Sequence, residues 1–354
     1  MANIRDVAMA AGVSPATVSR TFTTPNLINA NTQKRVIEVA RQMNYRHPRL
    51  RNARSSGTAA GTPAAVSTRD AIGFQFFSAT DSPYDTLAGN TFYAPVFAGA
   101  MEEASSLGLH LLVHTTTRHG LSLELPRMIQ EQAIGGMLLV GTADPEVLAT
   151  FAAHVPNIVL VDNRDETGVY ESVISDGFGG AYVATRHLID LGHSRIGFFL
   201  SEPGVTTFQD RQRGYLSALF EAGIVPEQDL VLRGGATDDA RNAQLCHYLS
   251  AANRPTALVT ANDDAALQTL RVCRTLNLTV PEDLSLIGFD DVDSSSHTSP
   301  PLTTLRVTKE QMGRLAVRRL HARLNRESAS SLIEQPVRHE IPVTFVPRDS
   351  CRAI

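Results

Sequence analysis

The sequence predicts an α/β protein in two unequal parts, a small all-α head and a large body with parallel sheets. Three observations carry that. Helical periodicity with turn and cap residues fills the first 45 positions. A Ser/Gly/Ala/Thr/Pro-rich stretch, Ser55 to Arg69, cannot bury a core and reads as a flexible linker. From residue 70 onward, strand-like apolar runs alternate with helical ones, the rhythm of parallel sheets covered on both faces. The 354 residues leave room for a head of about 60 and a body of two lobes.

The elements follow in order. Val7, Ala8 and Ala11 recur at helical spacing and give the first helix one apolar face. Gly12 suits the turn that ends it. Ser14 is a good N-cap for a second helix, and Pro15 sits at its first position, where a missing N–H costs nothing. Two short helices around a tight turn form the helix-turn-helix unit, whose second helix enters the DNA major groove. A third helix spans Asn29 to Met43, with Asn29 as N-cap and Val36, Ala40 and Met43 as its buried stripe. In the body, strands are expected at Ala71–Phe77, His110–His114, Gly136–Val140, Ile158–Val161, Ile196–Leu200, Ala257–Val259 and Leu284–Gly288. Helices are expected at Pro95–Leu107, Ala181–Leu191, Arg211–Ala222 and Asp263–Leu276. Ligands in such sheets sit beyond the carboxyl ends of the strands.

Charge separates the same two parts. Ten Lys and Arg against Asp6 and Glu38 give the first 69 residues +8; the whole chain carries −4, so the remainder carries −12. A basic head on an acidic body is what phosphate binding at one end requires. Arg46, Arg49, Arg51 and Arg54 crowd directly behind the third helix.

The run from Asp6 to Arg20 completes a D-V-A-x-x-A-G-V-S-x-x-T-V-S-R pattern, continued by Pro25, Asn29, Thr32, Arg35-Val36 and Ala40 through Asn44-Tyr45. It closely resembles the start of the lactose-repressor (LacI/GalR) family. The body resembles the same family's sensor core, which is like a periplasmic sugar-binding protein. The matching stretches are Asn90-Thr91-Phe92-Tyr93, His187 through Gly197, Arg211 through Tyr215, Pro255-Thr256-Ala257, Asn262-Asp263, Ile287 through Asp291 and Pro301 through Thr304. They lie along nearly the whole body.

The resemblance implies a domain plan of 1–56 for the helix-turn-helix head and hinge, 57–69 for the linker and 70–354 for a two-lobed ligand-binding and dimerisation body. It implies a sequence-specific regulator, most simply a repressor, that acts as a homodimer on a near-palindromic operator. A small effector between the lobes would control it. Ser14, Pro15, Ala16, Thr17, Ser19, Arg20, Asn29, Tyr45, Arg49, Arg51 and Arg54 are the expected DNA contacts. Arg20 suits a bidentate contact to guanine and Ala16 a thymine methyl, while Ser14, Thr17 and Ser19 suit phosphates.

Phe92, Tyr93, Asp162, Arg211, Asn262 and Asp290 are the expected ligand shell. Arg211 offers a donor fork for vicinal hydroxyls or a carboxylate. Asp290 and Asp162 follow apolar strands and accept from hydroxyls, Asn262 donates and accepts, and Phe92 and Tyr93 pack on an apolar face. That set suits a carbohydrate or nucleoside. Plainer readings stand beside it. Phe92 also reads as core, Asn262, Asp263 and Asp264 as helix caps, Asp290 and Asp291 as a surface turn, and Arg211 as a surface partner of Asp210 or Glu221. His193 reads as structural. The chain has no Trp, so any stacking falls to Phe or Tyr.

The family's hinge carries a leucine that wedges into the minor groove. Here Ala53-Arg54-Ser55-Ser56 places Arg54 or Ser56 at that position, and neither is an apolar wedge. No leucine heptads follow Pro347, so a dimer is expected rather than a tetramer.

Catalysis is not expected. No G-x-G-x-x-G or P-loop cradle stands at a strand–helix junction; Gly177-Phe178-Gly179-Gly180 lacks the spacing. No serine sits in a G-x-S-x-G elbow, and His110, His114 and His119 have no convincing acidic or thiol partners for a metal. No cofactor or metal is expected beyond the effector. Three unclustered cysteines, no apolar signal core and no membrane span point to the cytoplasm. The alternative is a sugar-binding sensor without a DNA role.

Overall fold

In the computed structural model, residues 4–23, 28–43, 70–78, 86–117, 125–165, 167–325 and 335–354 are described. The chain divides into two compact units, Met1–Ala65 and Val66–Ile354.

The first unit holds α1 (Ile4–Ala11), α2 (Pro15–Thr23) and α3 (Ala30–Gln42). Gly12, at φ +62°, closes α1. Its N–H donates to Met9 O at 3.2 Å, and the Val13 N–H donates to Ala8 O at 3.0 Å. That pair of bonds is the Schellman arrangement, which needs a residue at ease in the left-handed region. Val7, Ala8, Ala11, Val18, Val36 and Ala40 then meet in one small core. The predicted linker at 57–69 lies outside the described residues.

The second unit contains two parallel sheets. The first has the order β11-β5-β4-β3-β1-β2. Its members are β1 (Ala71–Ser78), β2 (His110–Thr117), β3 (Gly136–Val140), β4 (Ile158–Val161), β5 (Glu171–Ser175) and β11 (Arg338–Ile341). The second has the order β7-β6-β8-β9. It is built from β6 (Ile196–Leu200), β7 (Val231–Arg233), β8 (Ala257–Thr260) and β9 (Ser285–Ile287). Every residue of β1, β3, β4, β5, β6, β8 and β9 is buried. Sheets covered on both faces demand continuous apolar runs, which is why all of those strands except β5 were legible.

Helices α4 (Tyr93–Ser106), α5 (Arg127–Gln130), α6 (Pro145–Ala152) and α12 (Lys309–Leu324) belong to the first lobe. The second lobe takes α7 (Gly177–Asp190), α8 (Thr206–Glu221), α9 (Asp238–Ser250), α10 (Asp263–Thr275) and α11 (Asp293–Ser296). A two-stranded antiparallel pair, β10 (Thr304–Arg306) with β12 (Thr344–Val346), completes the fold. The chain passes between the lobes after β5, after β10 and after β11. The first and third passages lie side by side, since the Asp176 N–H donates to Ile341 O at 2.9 Å.

The structure adds elements the sequence reading did not contain. β7, β10 and β12 have three residues each, too few to show a period. β5 opens on Glu171, a charge that a buried strand tolerates only with partners; Arg319, Arg323 and His339 supply them. The glycine run Gly177–Gly180 is the first turn of α7, capped by Asp176 Oδ1 accepting from the Gly179 N–H at 2.7 Å. His193 is buried and structural. Its ring contacts Thr256 Oγ1 at 2.9 Å, Ser285 Oγ at 3.1 Å and Arg352 O at 3.1 Å, pinning the final residues to the second sheet.

Helices α4 and α12 cross through facing glycines. A Cβ on Gly313 would fall on the Val96 carbonyl, and one on Gly99 on the Glu310 carbonyl. Backbone cannot yield as a flexible side chain does. Alanine at either position gains up to about 1 kcal/mol of helix propensity. Overpacking costs about 1–3 kcal/mol and exceeds that gain. Gly313→Ala should therefore lower stability in urea unfolding; a variant as stable as the parent would show that the helices are not in this close contact.

Candidate functional site

Two groups of predicted residues are described, one in each unit. In the first, Ser14 Oγ accepts the Thr17 N–H at 3.1 Å and lies 2.9 Å from Thr17 Oγ1. The cap starts α2 at Pro15. Pro15, Ala16 and Arg20 are exposed, Thr17 and Ser19 are half-buried, and Val18 and Thr21 face the small core. Ala16 and Arg20, four residues apart, share one outward stripe. Asn29 is exposed immediately before α3, and Lys34 and Arg35 are exposed on it. Tyr45, Arg49, Arg51 and Arg54 lie outside the described residues.

In the second unit, each sheet reverses its strand order at one point, between β1 and β3 and between β6 and β8. Loops diverge at such a switch point and leave a crevice beyond the carboxyl ends. A cavity of about 250 Å³ is lined from both sheets there. Phe76 and Phe77 come from the end of β1, Thr142 follows β3 and Asp162 follows β4. Glu202 follows β6, Asn262 and Asp264 follow β8, and Asp290 and Val292 follow β9. Asn90, Thr91, Phe92 and Tyr93 line it from the start of α4, and Val205, Phe208 and Arg211 from α8 and its approach.

All six residues expected in the ligand shell thus meet in one cavity. Asn90 Oδ1 accepts the N–H groups of Phe92 at 3.0 Å and Tyr93 at 2.8 Å, so α4 begins two residues before the predicted start. Tyr93 donates its hydroxyl to Asp162 Oδ2 at 2.7 Å, and its ring meets Phe92 edge-on at 5.0 Å. Phe92 is both buried core and cavity wall. Asn262 also serves twice: its Oδ1 caps α10 by accepting the Ala265 N–H at 3.0 Å, and the residue lines the cavity.

Arg211 is 1% exposed and does not pair with Asp210 or Glu221. Asp210 is taken by Arg164 and Arg213. The Arg211 guanidinium lies 3.8 Å from the Phe289 ring centroid and 5.0 Å from that of Phe208. One Nη donates to the Ala261 carbonyl. The other stands 3.2 Å from Asp290 Oδ1, an ion pair without hydrogen-bond geometry. Among the described residues, Arg211 Nε, Asp290 Oδ1 and Asp162 Oδ1 are buried with no hydrogen-bond partner.

Asp290 is held firmly. Its backbone is at φ +116°, its N–H donates to Leu305 O at 2.7 Å, and its carbonyl accepts from Lys309 Nζ at 2.5 Å. Burial pushes its carboxyl up to about 8 against the pull of Arg211. Burial also raises Asp162, partly opposed by Arg211 and the Tyr93 hydroxyl. Asp263 is neither cap nor ligand group. It is fully buried, accepts from Thr304 Oγ1 at 2.6 Å and the Val292 N–H at 2.9 Å, and is raised by burial to about 7. Asp264 faces the cavity instead of capping, because Asn262 already occupies the cap position.

Glu202, Thr142, Phe208 and Asp264 were not predicted. Glu202 carried a readable signal: it stands two residues past an apolar strand, as Asp162 stands one past β4. Phe208 lies one helical turn before Arg211. Thr142 had no such signal.

A family model described as "Bacterial regulatory proteins, lacI family" matches residues 3–48, and one described as "Periplasmic binding protein-like domain" matches residues 185–351. The HTH-type transcriptional repressor PurR of Pasteurella multocida (strain Pm70) is 30% identical over 334 residues, 93% of each chain. Among solved structures, a transcriptional regulator CelR–cellobiose complex is 26% identical at a TM-score of 0.70, covering 99% of this chain and 100% of that one. The lac repressor dimer bound to operator and the anti-inducer ONPF shares the fold at a TM-score of 0.66 and 24% identity, covering 99% of each chain. Among the described residues, no helix is long and apolar enough to cross a membrane.

The raised carboxyls set a pH dependence. Between the ordinary carboxylate value of 3.8 and about 8, the folded chain keeps protons on Asp290 and Asp263 that the unfolded chain has released. Their contribution to stability therefore falls as pH rises through that window. Urea midpoints at intervals from about pH 5 to about pH 8 should decline less in Asp290→Asn than in the parent; equal slopes would place the Asp290 proton elsewhere.

Proposed function

The chain belongs to the lacI family of bacterial regulatory proteins, and from that premise we propose that its body senses a carbohydrate or related polyhydroxylated metabolite and thereby sets the head's affinity for a near-palindromic operator. It is a DNA-binding transcriptional repressor with a small-molecule sensor body, not an enzyme. The observation that carries the effector reading is the convergence of Asp162, Arg211, Asn262 and Asp290 with Phe92 and Tyr93 in one crevice. Polar groups that bond hydroxyls, set beside aromatic walls, suit a polyol with one apolar face. The cavity is smaller than the roughly 300–1,000 Å³ of drug-sized sites, so the ligand is small. The solved CelR–cellobiose complex, a relative that holds a sugar, supports the same class.

The mechanism is a population shift. A ligand that bridges residues of both lobes favours the closed arrangement, and it alters operator affinity only by the difference in its affinity for the two states. Two copies place two recognition helices on successive half-sites. The sequence division into head and hinge (1–56), linker (57–69) and body (70–354) belongs to this proposal, as does work in the cytoplasm, where the operator is. So do the DNA roles of Ser14, Pro15, Ala16, Thr17, Ser19, Arg20, Asn29, Tyr45, Arg49, Arg51 and Arg54.

Selection of sites from random DNA with purified protein at a stated salt concentration should return a near-palindrome with fixed half-site spacing. No enriched sequence, with or without a sugar panel, would sink the operator reading. On the selected site, Arg20→Ala should cost about 1–3 kcal/mol of specific binding and leave non-specific binding unchanged. Equal losses on both would remove Arg20 from base reading. Asp290→Asn should blunt the effector response while sparing operator binding in its absence.

A further inference from the structure

We infer that the cavity accepts an uncharged polyhydroxylated ligand and rejects the phosphorylated or carboxylated form of the same compound. This rests on the carbohydrate reading above and narrows it.

Among the described residues, the titratable groups that line the cavity besides Tyr93 are Asp162, Glu202, Asp264, Asp290 and Arg211. Arg211 is the one cation of that lining, and both of its Nη groups are already committed. One Nη donates to the Ala261 carbonyl, the other is paired with Asp290, and its face lies against Phe289. Lys309, whose ammonium lies 6.0 Å from the Phe92 ring centroid, spends that ammonium on the carbonyls of Asp290 at 2.5 Å and Asp291 at 3.2 Å.

An anionic substituent would therefore meet the carboxyls of Asp162, Glu202, Asp264 and Asp290, and Arg211 could offer it no more than the Nε–H. Like charges placed together without water are strongly unfavourable. A hydroxyl meets the opposite situation. Among the described residues, Asp162 Oδ1 and Asp290 Oδ1 are buried acceptors that receive no hydrogen bond, and Arg211 Nε is a buried donor that makes none. Hydroxyls both donate and accept, so a polyol satisfies all three. A neighbouring groove beyond Glu202, Asn262 and Asp264 holds Arg241, which is bound to Asp238 and to the Gly235 carbonyl at 3.0 Å. The exposed Arg271 also lines that groove. A phosphate reaching that groove would bind there and defeat the selectivity. Chemically, the sensed compound stands ahead of any phosphoryl transfer to it.

The test is isothermal titration of the full-length protein with neutral pentoses, hexoses and hexitols at about pH 8.5, above the raised Asp290 carboxyl. The tightest binder is then compared with its own phosphate ester, its own uronic or aldonic acid and its amino counterpart. The expected result is binding of the neutral compound, with the phosphate and the acid at least about 100-fold weaker. A phosphate or acid that binds as tightly, or an amino sugar that binds more tightly than the neutral form, overturns this inference and leaves the carbohydrate reading intact. No binding by any sugar overturns both. The double variant Asp162→Asn/Asp290→Asn, checked for folding by its thermal melt and titrated at about pH 8.5, should narrow the gap at least about tenfold. An unchanged gap in a folded variant also counts against the inference, since these carboxyls would then not be its source.

Discussion

The buried guanidinium of Arg211 is the constraint around which the second lobe's half of the site is arranged. A cation that is 1% exposed survives only with partners that replace water. Those partners come from three elements. The Ala261 carbonyl is at the exit of β8, Asp290 is at the exit of β9, and Phe208 is on α8 itself. Phe289, immediately before Asp290, gives the planar cation a face to rest on. Satisfying one charge thus fixes the relative position of two strand exits and a helix, which is what a preorganised crevice requires.

Two adjacent aspartates show how finely burial decides chemistry. Asp290 and Asp291 both adopt left-handed backbone, at φ +116° and +51°. Asp291 accepts from Arg348 at 2.5 Å and Arg306 at 2.6 Å, and these bonds together hold its carboxyl below the usual range despite burial. Asp290 faces the cavity with the distant side of one arginine, and burial wins. One residue is a structural anchor and the other a recognition group. Left-handed backbone away from glycine costs on the order of 1–3 kcal/mol. Here Lys309 binds the carbonyls of both residues, and Leu305 accepts the Asp290 N–H.

The head shows the reverse balance. Its elements follow from local rules almost alone, because turn, cap and apolar stripe are all encoded within a few residues. Gly12 takes the left-handed turn, Ser14 caps α2, and Val7, Ala8, Ala11, Val18, Val36 and Ala40 form the core that their spacing describes. In the body, the all-apolar strands were equally legible. Glu171–Ser175 was not, because the partners that permit a buried Glu171 lie about 150 residues onward. The start of α7 was hidden by its glycines, whose helical state depends on Asp176 and on packing against α8.

The sequence by itself determined the helix-turn-helix, the charge division between head and body, the βαβ rhythm and the identity of six residues that line the cavity. Each of these is written in nearest neighbours, composition or motif, where the physics is local. Only the tertiary structure decided that Arg211 is buried and paired with Asp290 rather than with its neighbour Asp210. It also decided that Asn262 both caps and lines, and that Glu202 and Asp264 join the wall. Burial and long-range pairing depend on which strands lie side by side. That order, set by three passages between the lobes, is not carried by any short stretch of chain.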